Sequence, residues 1–169
     1  MSRQVAIHPL SRAAFTSFGE VLDAKGGPDM MINQGLCARH HDRAKLDFDG
    51  GRAGISVFHA EPRELPYRLE MMERHPQGSQ AFIPMHSNPF LVIVAEDADG
   101  RPGEPRAFET APGQGINLHR NIWHGVLTPL QHPGIFAVID RIGEGNNLEE
   151  YWFEEPYLIG SENAEGPAE

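Results

Sequence analysis

A chain of 169 residues is long enough for one domain with a full-sized core. Its formal net charge of −10 argues against non-specific binding to nucleic acid, and an anionic ligand would need a local cluster of arginines. The single cysteine, Cys37, excludes an internal disulfide or a cysteine-based zinc site and fits a reducing, cytoplasmic setting.

The N-terminus "MSRQVAIHPL" lacks the apolar core of a signal peptide, and no apolar run approaches the ~20 residues of a membrane span. "LSRAAFTSFGEVL" is the best helical stretch, with Ser11 as cap, Ala13, Ala14, Phe15 and Phe18 as its body, and Gly19 as its end. Cys37 lies among small and apolar neighbours and reads as a buried thiol. From Ile55 onward the pattern is strand, turn, strand. "GISVFHA" alternates, "YRLEMMERH" fits helix or strand, and "QAFIPM" is a short apolar strand. "FLVIVAED" is a continuous apolar run expected to be buried on both faces. "RAFET", "INLHRNIWHGVL" and "GIFAVIDRIG" follow, with turn signals every 8–12 residues or so, as in an all-β sandwich or barrel. The expectation is one domain over residues 1–158, small helical decoration near its N-terminus, and a disordered acidic tail over 159–169.

Polar groups concentrate in "MERHPQGSQAFIPM", "GINLHRNIWHGVL" and "VIDRIG". Side chains alternate faces along a strand, so Glu73 and His75 share a face and Arg74 opposes them. His119 and His124 are five apart and cannot share a pocket in one regular strand. A bend at Arg120-Asn121 would be needed, and asparagine tolerates one. His75 and Gln80 around a glycine turn, with His124 on a later strand, resemble the two-motif layout of cupins, jelly-roll barrels that hold a metal or small ligand at the mouth. The usual first motif has two histidines and a glutamate. Here His75 alone remains of the pair and Gln80 stands at the acid position, a poor ligand for Zn²⁺ or Ni²⁺.

At the level of whole segments the chain resembles the bacterial ureidoglycolate lyases. The strings "INQGLCARHHD", "ERHPQGSQAFIPM", "GQGINLHRNIWH" and "IDRIG" occur in that family's order and spacing up to about Glu150. The resemblance implies a cupin-type barrel, a homodimer, and cleavage of ureidoglycolate to glyoxylate and urea in allantoin degradation. The motif positions are Arg74, His75, Gln80, His119, Arg120, Asn121, His124, Asp140 and Arg141, with Asn33, Arg39, His41 and Asp42 in the N-terminal string. His40 stands where the family commonly has an aromatic residue, and it is given no role.

Eliminating urea needs a base for the hydroxyl proton, an acid for the departing nitrogen and a cation for the carboxylate. Histidine suits the proton transfers and arginine the carboxylate. His75, His124 and Gln80 are therefore assigned to catalysis. Arg141, Arg74, Asn121 and His119 are assigned to substrate binding, with Arg141 preferred over Arg74 by strand parity. No cofactor is certain. A divalent ion (Ni, Zn or Mn) on His75 and His124 is the alternative to direct proton transfer. Glu73 is either an acid aiding catalysis or a partner of an arginine. Asp140 and Arg141 fit a site or a salt bridge equally. Trp123 and Phe82 read as core, and His8, His59, His86 and His132 as surface. Two other functions stay open: an amidohydrolase releasing ammonia from the same substrate, and a non-catalytic cupin that binds a small acid.

Overall fold

The computed structural model describes residues 3–160. The first elements are β1 (Arg3–Val5), β2 (Ile7–Pro9), α1 (Arg12–Phe15), β3 (Gly19–Leu22), β4 (Met30–Ile32) and β5 (Cys37–Arg39). Then come β6 (Arg52–His59), β7 (Tyr67–Arg74), β8 (Gln80–Pro84), β9 (Phe90–Ala95), β10 (Asp97–Ala98) and β11 (Arg101–Pro102). The chain continues through β12 (Arg106–Glu109), β13 (Gly115–Leu118), β14 (Trp123–His124), β15 (Thr128–Pro129), β16 (Ile135–Ile142) and β17 (Glu149–Ile159). The all-β, barrel-like architecture is the one expected from the turn spacing.

Two sheets carry the structure. The larger runs β1-β17-β7-β14-β9-β12-β2, with β15 on β9, and the smaller runs β3-β13-β8-β16-β6. β1 and β2 are halves of one extended segment. The first pairs with β17 and the second with β12, so the opposite edges of the large sheet are held by a single stretch of chain. This leaves neither edge strand of that sheet without a partner.

β9 shows why the run "FLVIVA" is apolar throughout. Phe90, Val92 and Val94 pack between the sheets against Phe82, Ile116, Leu118, Phe136 and Val138. Leu91, Ile93 and Ala95 pack on the other side with Leu69, Met72, Trp123, Tyr157 and Ile159. Both faces of this strand are core, as expected of a run without polar alternation. Trp123 and Phe82 are core as read from the sequence.

Several expectations change. The helix is only four residues long, although Ser11 does cap it by accepting from the Ala14 amide at 3.2 Å. Gly19 opens β3 instead of ending a helix. A Cβ there would lie 1.9 Å from the Asn117 carbonyl oxygen, so strand pairing with β13 requires glycine. "YRLEMMERH" is a strand. Cys37 is half-buried in the β4-β5 hairpin, not fully buried. His86 is half-buried against the Phe136 ring, 4.9 Å between centroids, while His8, His59 and His132 are exposed. β17 runs to Ile159, one residue past the expected domain end, and the acidic tail lies outside the described residues. Among the described residues no helix is long and apolar enough to cross a membrane.

Phe136 is fully buried where β16 meets β9. Phe136→Ala is expected to cost about 3–5 kcal/mol, read as a lower midpoint of chemical unfolding, because the surrounding strands cannot collapse into the space.

Candidate active site

The barrel's polar groups gather at one end of the core. β7 ends at Arg74 and β8 begins at Gln80, so the loop 75–79 crosses from the large sheet to the small one at that end. β14 inserts between β7 and β9, pairing His124 with Glu73 on one side and with Val94 on the other. Val94 belongs to the core between the sheets, so His124 points inward, while Trp123 points to the opposite side with Ala95. Gln80 is inward because Phe82, two residues on, lies in the same core. Asp140 is inward by the same argument from Val138.

Glu73, His75 and His124 form one cluster, their ligating atoms all within 4.8 Å of one another. The two imidazole centroids are 5.2 Å apart, and His75 Nε2 lies 3.9 Å from Glu73 Oε1. Each histidine has its other nitrogen fixed by a main-chain carbonyl. His75 Nδ1 donates to Asn147 O at 2.7 Å and His124 Nδ1 to Gly125 O at 2.9 Å. A carbonyl only accepts, so in the neutral rings both Nε2 atoms keep a lone pair. Both Nε2 atoms are buried and have no hydrogen-bond partner.

Burial and the neighbouring His75 charge push the His124 pKa down to about 3. Burial pushes the Glu73 carboxyl up; the His75 charge opposes this and Glu150 adds to it. Two lone pairs and a carboxylate thus face each other with no donor between them. Such a set offers a place for a shared proton or a cation. Its imidazole and carboxylate chemistry, with both Nδ1–H groups anchored, fits a divalent cation.

Not every expected residue joins this cluster. Arg74 faces away, as strand parity requires. It donates to Glu149 at 2.6 Å and to Asp97 at 2.8 Å, and it stacks 4.4 Å from the Trp123 ring centroid. Arg141 also faces away, because its neighbour Asp140 is the inward residue. Its guanidinium donates to the carbonyls of Asp49 and Gly50 at 3.0 and 3.2 Å and of Glu144 at 2.9 Å. The two arginines assigned to the substrate are thus held away from the cluster, Arg74 by neighbouring strands and Arg141 by outer loops. His119 sits outside the core, 3.2 Å from Glu20. Asn121 is exposed, and with φ of 69° it makes the turn that separates β13 from β14. A bend is present at Asn121, and it divides the two histidines between separate segments instead of bringing them into one pocket.

Three features were not assigned from the sequence. Glu73 completes the cluster, and its shared parity with His75 was the available signal. Asn147 fixes His75 through its carbonyl and the Gln77 amide through its side chain, also at 2.7 Å. Arg52 pairs with Ile142 in register, two positions beyond Asp140 and on the inward parity of β6, where it is exposed at the rim. Neither contact could be read without the pairing of distant strands.

A family model described as ureidoglycolate lyase matches residues 2–160. A ureidoglycolate lyase of Rhodobacter capsulatus is 59% identical over 157 residues, 92% of this chain and 98% of the relative. A protein of Rhizobium meliloti named ureidoglycolate lyase 2 is 52% identical over 155 residues, covering 90% and 95% of the two chains. A ureidoglycolate lyase of Chelativorans is 52% identical over 159 residues, covering 93% and 96%. With its barrel, its inward His-His-Glu cluster and a match along nearly its whole length, the chain belongs to the ureidoglycolate lyase family.

Proposed function

We propose that the chain eliminates urea from ureidoglycolate to give glyoxylate, at the cluster of Glu73, His75 and His124. The observation that carries this reading is the pair of buried, unpartnered Nε2 atoms with their tautomers fixed from behind. The substrate's hydroxyl loses its proton as the carbonyl forms, the C–N bond breaks, and the departing urea nitrogen takes a proton. His75 Nε2 accepts the hydroxyl proton. His124, held neutral by burial, keeps its lone pair across the working range. Glu73 holds a proton more readily than an ordinary carboxyl and suits its return to the leaving nitrogen. Gln80, inward and 6% exposed, reads the ureido group. Arg52 takes the carboxylate in place of Arg74 and Arg141.

A divalent cation (Ni, Zn or Mn) would be held by Glu73, His75 and His124, and when bound it would acidify the hydroxyl and offset the negative charge around it. The reading also includes a homodimer in a reducing, cytoplasmic setting. The lone unpaired Cys37 supports the compartment. The outer face of the small sheet supports the dimer. Ile55, Val57 and Met85 are 77%, 66% and 60% exposed, and Val57 lies one strand from Ala137, which pairs with Ile83. A contiguous apolar stripe of this kind fits a second copy of the same chain.

Incubation with ureidoglycolate, corrected for its spontaneous breakdown, is expected to release urea and glyoxylate in equal amounts. Ammonia release would instead identify an amidohydrolase, and no product would identify a binding protein. His75→Ala is expected to lower kcat by about 10²–10⁴-fold while the fold persists. Arg52→Ala is expected to raise KM, and an unchanged KM would remove Arg52 from the carboxylate. Chelation followed by metal add-back decides whether the cluster works with a cation or by proton transfer alone.

His124 also marks stability. Its folded pKa of about 3 lies below the unfolded value of 6.5, so between these values the unfolded chain binds a proton that the folded chain refuses. Stability from this group is complete above pH 6.5 and falls as the pH drops toward 3, by up to about 1.4 kcal/mol per unit. Denaturant unfolding at pH 7 and pH 5 is expected to show a steeper loss for the wild type than for His124→Gln. For the dimer, Val57→Lys is expected to yield a monomer by sedimentation at micromolar concentration, with the barrel intact by circular dichroism.

A further inference from the structure

Gln80 lies at the start of β8, on the inward face and at the barrel end that holds His75. Its two amide atoms have different surroundings. Nε2 donates to Asp140 Oδ2 at 3.2 Å, whereas Oε1 is buried without a partner. An ionised carboxylate can only accept, so the side of the amide facing Asp140 must be the NH₂ group. Reversing the amide would set two oxygens against each other in a place with little water. One contact therefore decides what the other end of the glutamine shows to the inside of the barrel.

We propose that Asp140 is a positioning residue that locks the Gln80 amide with its oxygen toward the ligand, so that the site selects molecules bearing an N–H donor. This rests on the functional reading above and names the part of the substrate that Gln80 reads, the ureido N–H. It also separates the neighbours Asp140 and Arg141. Asp140 turns inward to Gln80, and Arg141 turns outward to the loop 49–50. The ligand class is a small acid with an adjacent ureido or amide N–H. A small acid without that donor leaves Oε1 buried and unpaired when it binds, and pays for that in affinity.

The test is calorimetric binding of two probes, ureidoacetate, which has the N–H groups, and acetate, whose anion has no hydrogen-bond donor. Asp140→Asn preserves volume and frees the amide to turn. It is expected to weaken ureidoacetate by about tenfold and to leave acetate within twofold. Gln80→Met is expected to produce the same selective loss, and Asp140→Asn combined with Gln80→Met is expected to be no worse than Gln80→Met alone. In turnover of ureidoglycolate the loss is expected in KM more than in kcat. Should Asp140→Asn fail to fold, Gln80→Met carries the test alone, and an unselective effect there overturns the proposal. Equal weakening of both probes, no weakening of either, or additive losses in the double variant would also overturn it. A wild-type protein that neither binds ureidoacetate nor turns over ureidoglycolate would instead defeat the functional reading, and this inference with it.

Discussion

The geometry of the site depends on an interaction on the far side of its strands. Arg74 stacks on Trp123, and Asp97 accepts from both, at 2.8 Å from each donor. Each of these two residues adjoins a member of the cluster. Arg74 lies between Glu73 and His75, and Trp123 precedes His124. Because strand side chains alternate, a clamp on one face fixes the positions of the residues on the other. Glu149 extends the clamp to β17, two residues beyond Asn147, whose carbonyl fixes the His75 tautomer. Four distant parts of the chain are brought into one arrangement this way, and the cluster is the inward face of that arrangement.

The clamp also accounts for the composition of the two motif strings. "ERH" and "WH" each combine residues for both faces: acid and imidazole inward, guanidinium and indole outward. A substitution at Arg74 or Trp123 would move the histidines without touching any ligand. The site's electrostatics follow from the inward placement. Burial holds His124 neutral and favours the protonated form of Glu73, so the two inward groups carry less charge than they would in water.

Local patterns carried much of the fold. The unbroken apolar run of β9, the punctuation by glycine and proline, and the parity of Glu73 with His75 are all visible in the chain itself. The bend at Asn121 was also legible, since few residues besides glycine accept a φ of 69° at low cost. What the sequence hid is the pairing of segments far apart in the chain. Arg74 and Arg141 drew attention as cations in motif strings, yet their partners, Glu149, Asp97 and the loop 49–50, are set by register alone. The same holds for Asp140 with Gln80, sixty residues apart. The expected helix failed for another reason. Residues after Phe15 gain more from strand pairing with β13 than from further helical turns, and Gly19 permits the close approach.

The bridging N-terminal segment has a consequence for how the molecule is made. Arg3 pairs with Tyr157, so β1 finds its partner strand only after a further 154 positions have been synthesised. Until then the edges of the large sheet have no common strand, and the apolar residues Tyr157 and Ile159 of β17 are not yet present to pack with Val5. Long-range closure of this kind makes the last folding step slow and concentrates the risk of misassembly in the newly released chain. A substitution that weakens the pairing of β1 with β17 would act on that step first, lowering the yield of folded protein before it altered the chemistry of the finished barrel.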